Sequence, residues 1–175
     1  MKEMNKAIFL DKDGTLVDGS GYPEIIPADD LMKERVVRGL IKLKNQGFKL
    51  IIVSNQSWVS KGRLTKNDVE NIFKSLINKL KKFEIEIDDY FYCPHKREEN
   101  CNCKKPSTGM ILEAVKKHNL DLSCSYMIGD SDDDILMAKK LNLKTVLVTT
   151  GLGNNFLGIG ADYVVEDINH FAEII

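Results

Sequence analysis

The chain has no apolar run that approaches the length of a membrane span. Its first residues lack the charged-then-apolar pattern of an export signal. The first absence argues against a membrane-embedded protein, and the second points to the cytoplasm. An excess of either charge is also missing: 25 basic against 26 acidic residues leave a net charge of −1. That gives no general attraction to nucleic acid or to an anionic membrane surface. There is no internal repeat, no low-complexity tract and no linker. Cysteine is scarce, at four residues, and without an export signal a pair of disulfides is not its expected use. The remainder, 43% hydrophobic and 29% charged over 175 residues, is an ordinary globular balance. It suffices for one domain, residues 1–175, with a sizeable core.

Short apolar runs alternate with helical patterns. Strands are expected at residues 7–10, 49–53, 90–93, 126–129, 145–149 and 162–165. Apolar spacing places helices at about 32–46, at 108–118 and 132–141, and from Asn169 onward. Thr65, with Asp68 three residues on, opens another, whose inner face is Val69, Ile72, Phe73, Leu76, Ile77 and Leu80. Gly47 closes the first helix. Glycine and proline mark 18–30 as a loop; 57–64, 93–105 and the glycine-bearing 151–160 are loops as well. Strands alternating with helices imply an α/β fold: a doubly wound, mainly parallel sheet with helices on both faces.

The most informative stretch is Ile8-Phe9-Leu10-Asp11-Lys12-Asp13-Gly14-Thr15-Leu16. A buried strand stops at two acids one residue apart. In such sheets, ligands bind beyond the carboxyl ends of the strands. Alternation sends Asp11 and Asp13 to one side, where two carboxylates are costly unless they share a cation or a proton. Alone, Asp-x-Asp-Gly reads equally as a polar turn. It has company in order along the chain: Ser54-Asn55-Gln56 ending the second strand, the Lys105-Pro106 pair, and Gly129-Asp130 with Asp134.

Those four motifs in register resemble the haloacid dehalogenase superfamily of aspartate-dependent phosphatases. The resemblance implies a core without the large cap domain of many members, so that loops must exclude water. It implies Asp11 as nucleophile and Asp13 as general acid and base. Ser54 would donate to a phosphoryl oxygen, and Lys105 would supply positive charge to it. A catalytic Mg²⁺ would be held by Asp11, Asp130 and the main-chain carbonyl of Asp13. Asp134 would hold an outer water or position Lys105, while Asp132 and Asp133 read as first-turn helix acids. The helix start after Pro106 favours Lys105 over Lys104 for the third motif.

A second signal is Cys93-Pro94-His95 with Cys101-Asn102-Cys103. Three thiols and one imidazole within eleven residues make a complete tetrahedral Zn²⁺ set. The set leaves no place for water, so its role is structural. The polar residues between have nothing else to fold around. Cys124, ahead of a strand, reads as a small buried residue.

A CxH…CxC loop running into the lysine motif is similar to the subgroup that acts on heptose 1,7-bisphosphate and on histidinol phosphate. Gly21-Tyr22, Ser54 to Ser57 and Lys105 to Met110 are similar to the heptose enzymes; the short His95–Cys101 spacing is similar to the histidinol-phosphate domain. If the heptose assignment holds, Gly19, Ser20, Gly21, Tyr22, Asn55, Gln56, Ser57 and Lys104 line the substrate. The sequence departs from the heptose pattern at Lys104, where arginine is usual, at Trp58-Val59 and at Ser131, where lysine is usual. The expected partner is a small phosphorylated sugar or similar metabolite, the expected state a monomer. Histidinol phosphate is the alternative. A phosphate-binding module without turnover is another, but it would need no second aspartate. Trp58 is placed at the rim of the pocket.

Overall fold

The computed structural model describes residues 4–17 and 34–175. The run Ala-Ile-Phe-Leu forms β1 (Ala7–Leu10), buried at every position. Such a strand has to lie where both of its faces are covered. It lies at the centre of a six-stranded sheet completed by β2 (Lys49–Asn55), β3 (Asp89–Cys93), β4 (Tyr126–Gly129), β5 (Lys144–Val148) and β6 (Tyr163–Val165). The order is β3-β2-β1-β4-β5-β6, and every pair is parallel. The chain works outward from β1 to β3, then returns to the other side of β1 at β4. That reversal is a topological switch point, and a crevice opens beyond the strand ends on either side of it.

The strands divide their side chains by alternation. Ile8, Leu10, Leu50, Ile52, Ile128, Val146 and Val148 join one apolar cluster. It is sealed by α1 (Glu34–Asn45), α2 (Lys66–Lys82) and α5 (Ile168–Ile174). Ala7, Phe9, Ile51, Val53, Phe91 and Met127 join a second, under α3 (Gly109–His118) and α4 (Asp132–Lys139). Phe9 is fully buried, and truncating such a ring to alanine typically costs about 3–5 kcal/mol.

The helix from Thr65 forms with the expected cap: the Thr65 side chain accepts from the Asp68 amide, and the Asp68 carboxylate accepts from the Thr65 amide. Of its anticipated inner face, Val69, Phe73, Leu76 and Leu80 are buried, whereas Ile72 and Ile77 are only partly covered. β2 runs two residues beyond its expected end, because Ser54 and Asn55 continue the pairing with Tyr92 and Cys93. α4 is shorter than expected and stops at Lys139. Residues 32 and 33, and the loop holding Gly19, Ser20, Gly21 and Tyr22, lie outside the described residues.

One expectation is corrected. Cys124 is exposed, not buried. It occupies a 3-10 turn, Leu122–Cys124, capped by Asp121. The buried position is the next one: Ser125 accepts from the Ala7 amide at 2.9 Å and donates to the Asp121 carbonyl at 2.5 Å.

Candidate active site and metal centres

Asp11 is the first residue beyond β1. Its amide donates to the Ile128 carbonyl at 3.0 Å, so the β1–β4 pairing continues to the switch point itself. Asp130 is the first residue beyond β4. The folding of two neighbouring strands is therefore enough to bring these carboxylates to one crevice. Asp134 arrives one helical turn later on α4, on the side facing back to the sheet. Oxygens of Asp11, Asp130 and Asp134 all lie within 4.8 Å of one another, and the three residues are buried.

Lys105 reaches this group from the loop after β3. Its Nζ lies 2.6 Å from Asp11 Oδ1, 2.6 Å from Asp134 Oδ1 and 3.1 Å from the Val53 carbonyl. The ammonium's three protons are thus all used. Burial disfavours the charged lysine, yet the fields of Asp11 and Asp134 outweigh it and hold its pKa above the ordinary range. Burial pushes the Asp11 carboxyl well up; Lys105 pulls it back, while Asp134, Asp13 and Asp130 add to the rise. Burial raises Asp130 too, against the amide of Leu152, which donates to Asp130 Oδ2 at 2.8 Å.

Three buried acids against one lysine leave two negative charges if all are ionised. That excess is costly in a low-dielectric site without a further cation. Asp134 has little to offer it: Oδ1 accepts from Lys105, and Oδ2 accepts from the amide and hydroxyl of Ser131. Among the described residues, one oxygen of Asp11 accepts from Lys105 and one of Asp130 from the Leu152 amide, and the second oxygen of each has no such donor. A hard, oxygen-preferring divalent cation fits that donor set.

The backbone closes on Asp130 at two glycines. A side chain on Gly14 or on Gly151 would run into the Asp130 carboxylate, and both have positive φ, 89° and 56°. The sequence offered Gly151 only as a loop former.

Asp13 sits at the mouth, with its side chain 45% exposed. Its two oxygens face different donors. Oδ1 meets the ammonium of Lys12, whose own side chain is buried. Oδ2 accepts from Gln56 Nε2 at 2.9 Å. Ser54 Oγ also accepts from Gln56 Nε2, at 2.9 Å. Asn55 is committed to the lysine loop: its Oδ1 accepts from the Lys105 amide at 3.0 Å and its Nδ2 donates to the Lys105 carbonyl at 3.3 Å. Lys104 Nζ donates to Ser57 Oγ at 2.5 Å. Of the residues expected to line a substrate, Lys104 and Ser57 thus hold each other, while Asn55 and Gln56 are engaged with Lys105, Asp13 and Ser54. Trp58 is half-buried, with Lys61 Nζ 4.7 Å and Arg63 Cζ 5.3 Å from its ring centre.

The second centre forms from the end of β3. Cys93 is fully buried against α3, and Cys101 and Cys103 pack on the same cluster. Cys93 Sγ is 3.5 Å from both His95 Nδ1 and Cys101 Sγ. Cys103 Sγ is 3.2 Å from Cys93 Sγ, 3.4 Å from Cys101 Sγ and 3.3 Å from His95 Nδ1. No disulfide joins them. A tetrahedron with Zn–S of ~2.3 Å has edges of ~3.8 Å, so a small adjustment of these four atoms admits zinc. Burial raises the Cys93 thiol. At Cys101, burial is outweighed by the Lys104 amide and the two neighbouring thiols, which bring it down to about 6. Arg97, in the turn Arg97–Glu99 of this loop, ties it to α4 through Asp133 at 3.0 Å.

No helix among the described residues is long and apolar enough to cross a membrane. Residues 102–171 match the family described as HAD-hydrolase-like. The chain is 35% identical over 180 aligned positions to D-glycero-beta-D-manno-heptose-1,7-bisphosphate 7-phosphatase of Pasteurella multocida, covering 98% of this chain and 97% of that one. It is 37% identical over 141 positions to the histidine biosynthesis bifunctional protein HisB of Campylobacter jejuni, covering 79% of this chain but 40% of that protein. Among solved structures, it superposes with a TM-score of 0.86 on the D,D-heptose 1,7-bisphosphate phosphatase of B. bronchiseptica in complex with magnesium and phosphate. That protein is 26% identical, with 96% of each chain covered.

Proposed function

The chain belongs to the haloacid dehalogenase-like phosphatases, and from that membership we propose that it removes the 7-phosphate of a D-glycero-D-manno-heptose 1,7-bisphosphate. The observation that carries the chemistry is the buried Asp11–Lys105–Asp134 chain beside Asp130 and Asp13. Support for the substrate is the near full-length similarity to the heptose bisphosphate enzyme.

Asp11 attacks the phosphorus and the ester oxygen leaves, forming an aspartyl-phosphate that water then hydrolyses. Asp13 gives a proton to the leaving oxygen, then takes one from the attacking water. Its exposure at the crevice mouth lets it reach a group that projects outward. Ser54 donates its hydroxyl proton to a phosphoryl oxygen, and Lys105 places fixed positive charge beside the nucleophile. Asp134 anchors Lys105 between two carboxylates. Asp11, Asp130 and the Asp13 carbonyl would hold a Mg²⁺, which when bound neutralises charge on the phosphoryl oxygens. Cys93, His95, Cys101 and Cys103 would hold a structural Zn²⁺, stiffening the loop that presents Lys104 and Lys105.

A second reading, histidinol phosphate as substrate, is favoured by the short His95–Cys101 spacing and by the likeness to HisB. Side-by-side rates on heptose 1,7-bisphosphate and histidinol phosphate, with Mg²⁺ supplied, decide between them. A preference for the heptose by an order of magnitude or more in kcat/KM is expected. The reverse preference would move the chain to the second reading.

A further inference from the structure

Gln56 is buried, although it follows a strand end that opens on the crevice. Its backbone is pinned: the amide donates to the Cys93 carbonyl at 2.7 Å. Its side-chain nitrogen has two acceptors, Asp13 Oδ2 and Ser54 Oγ, each at 2.9 Å. An amide group carries two protons on nitrogen and none on oxygen. Turning the amide over would set its oxygen against a carboxylate, so the nitrogen must face Asp13. One proton is then used on each acceptor.

That division has a consequence for each partner. Ser54 accepts from Gln56, so its own hydroxyl proton is left for a different acceptor. Asp13 is exposed and would otherwise be free to rotate. With Gln56 on one oxygen and Lys12 on the other, its carboxylate has a fixed direction. One rigid side chain therefore sets the angle between the phosphoryl donor and the acid.

Resting on the phosphatase reading above, we infer that Gln56 is a positioning residue that aims Asp13 and Ser54 together, and that it does not itself contact substrate. Such a residue acts on the transition state more than on substrate binding, because the geometry of proton transfer tolerates little misalignment. A substrate contact would show the opposite pattern, a raised KM with kcat retained.

The test is Gln56→Met, which keeps an unbranched side chain of similar length but has no donor. Gln56→Leu serves as a second variant if the first does not fold. The expected result is a fall in kcat of roughly tenfold to a hundredfold, the scale of a lost hydrogen bond to a charged group. KM should stay within about threefold. In an Asp13→Asn background the further loss should be clearly smaller than in the wild type, the remainder being the part that acts through Ser54. A raised KM with kcat retained, or losses that simply add, would overturn the inference while the wild-type chain still turned over. A wild-type chain releasing no phosphate would overturn the phosphatase reading, and this inference with it.

Discussion

The ammonium of Lys105 stands 2.6 Å from the carboxylate of Asp11, 94 residues earlier in the chain. Both are buried, and Asp134 holds the same ammonium from the other side at 2.6 Å. Replacing Lys105 by methionine removes the positive partner and leaves the acids facing one another. Breaking a buried pair in this way costs about 3–5 kcal/mol. Lys105→Met is therefore expected to unfold at a clearly lower temperature, with part of the loss recovered when Mg²⁺ is added. Its kcat should fall by roughly a hundredfold to a thousandfold. Melting curves with and without Mg²⁺, beside steady-state rates, check both statements. A variant as stable and active as the wild type would contradict them.

Cys93, at the end of β3, and His95, Cys101 and Cys103, in the loop that follows, bring four donors together. Untagged protein purified without chelators should carry about one zinc per chain by elemental mass spectrometry, as one ligand set requires. A strong zinc chelator should lower the melting temperature, and added Mg²⁺ should not restore it. Cys101→Ser should behave like the chelated protein. Metal-free protein with an unchanged melting curve would refute a structural role.

Asp88 provides a pH-dependent term far from the crevice. Burial alone would raise its pKa, but hydrogen bonds from Lys44, Lys49 and the Leu50 amide bring it below the usual 3.8. A depressed carboxylate binds its proton more readily in the unfolded chain, so it stabilises the fold above the unfolded value. That contribution fades as pH falls through the lower, folded value. At neutral pH, Asp88→Asn should be less stable by about 1–2 kcal/mol. The gap between the two proteins should narrow below about pH 4. Urea melts at pH 7 and pH 3.5 measure it, and a gap that widened at low pH would reverse the sign argued here.

The parallel sheet and the meeting of Asp11, Asp130 and Lys105 at one crevice were legible because each depends on local pattern. A buried run such as Ile8 to Leu10 has to be a central strand, and acids just past its end have to meet the next strand's acids at the switch point. The clustering of Cys93, His95, Cys101 and Cys103 was legible for the same reason, since all four lie within eleven residues. Three features were not. Gly151 comes close to Asp130 only after β5 has passed beside β4, so its spacing from the other motifs carried no mark of that crowding. The hydrogen bonds that tie Asn55 to the Lys105 backbone and Gln56 to Asp13 and Ser54 join separate segments or a bend in the chain, and no local pattern marks them. Cys124 was misplaced by one residue, because the 3-10 turn before β4 breaks the alternation that would have buried it.

Asp11 is proposed as the nucleophile that takes the phosphoryl group. Mixing enzyme with substrate and Mg²⁺, quenching in acid within the first turnover and mapping the peptides by mass spectrometry looks for that group directly. The account predicts one phosphoryl increment on the peptide that contains Asp11, absent without Mg²⁺ and absent from Asp11→Asn, which should release no phosphate. Undiminished phosphate release by Asp11→Asn, or a phosphoryl group carried at another residue, would contradict it.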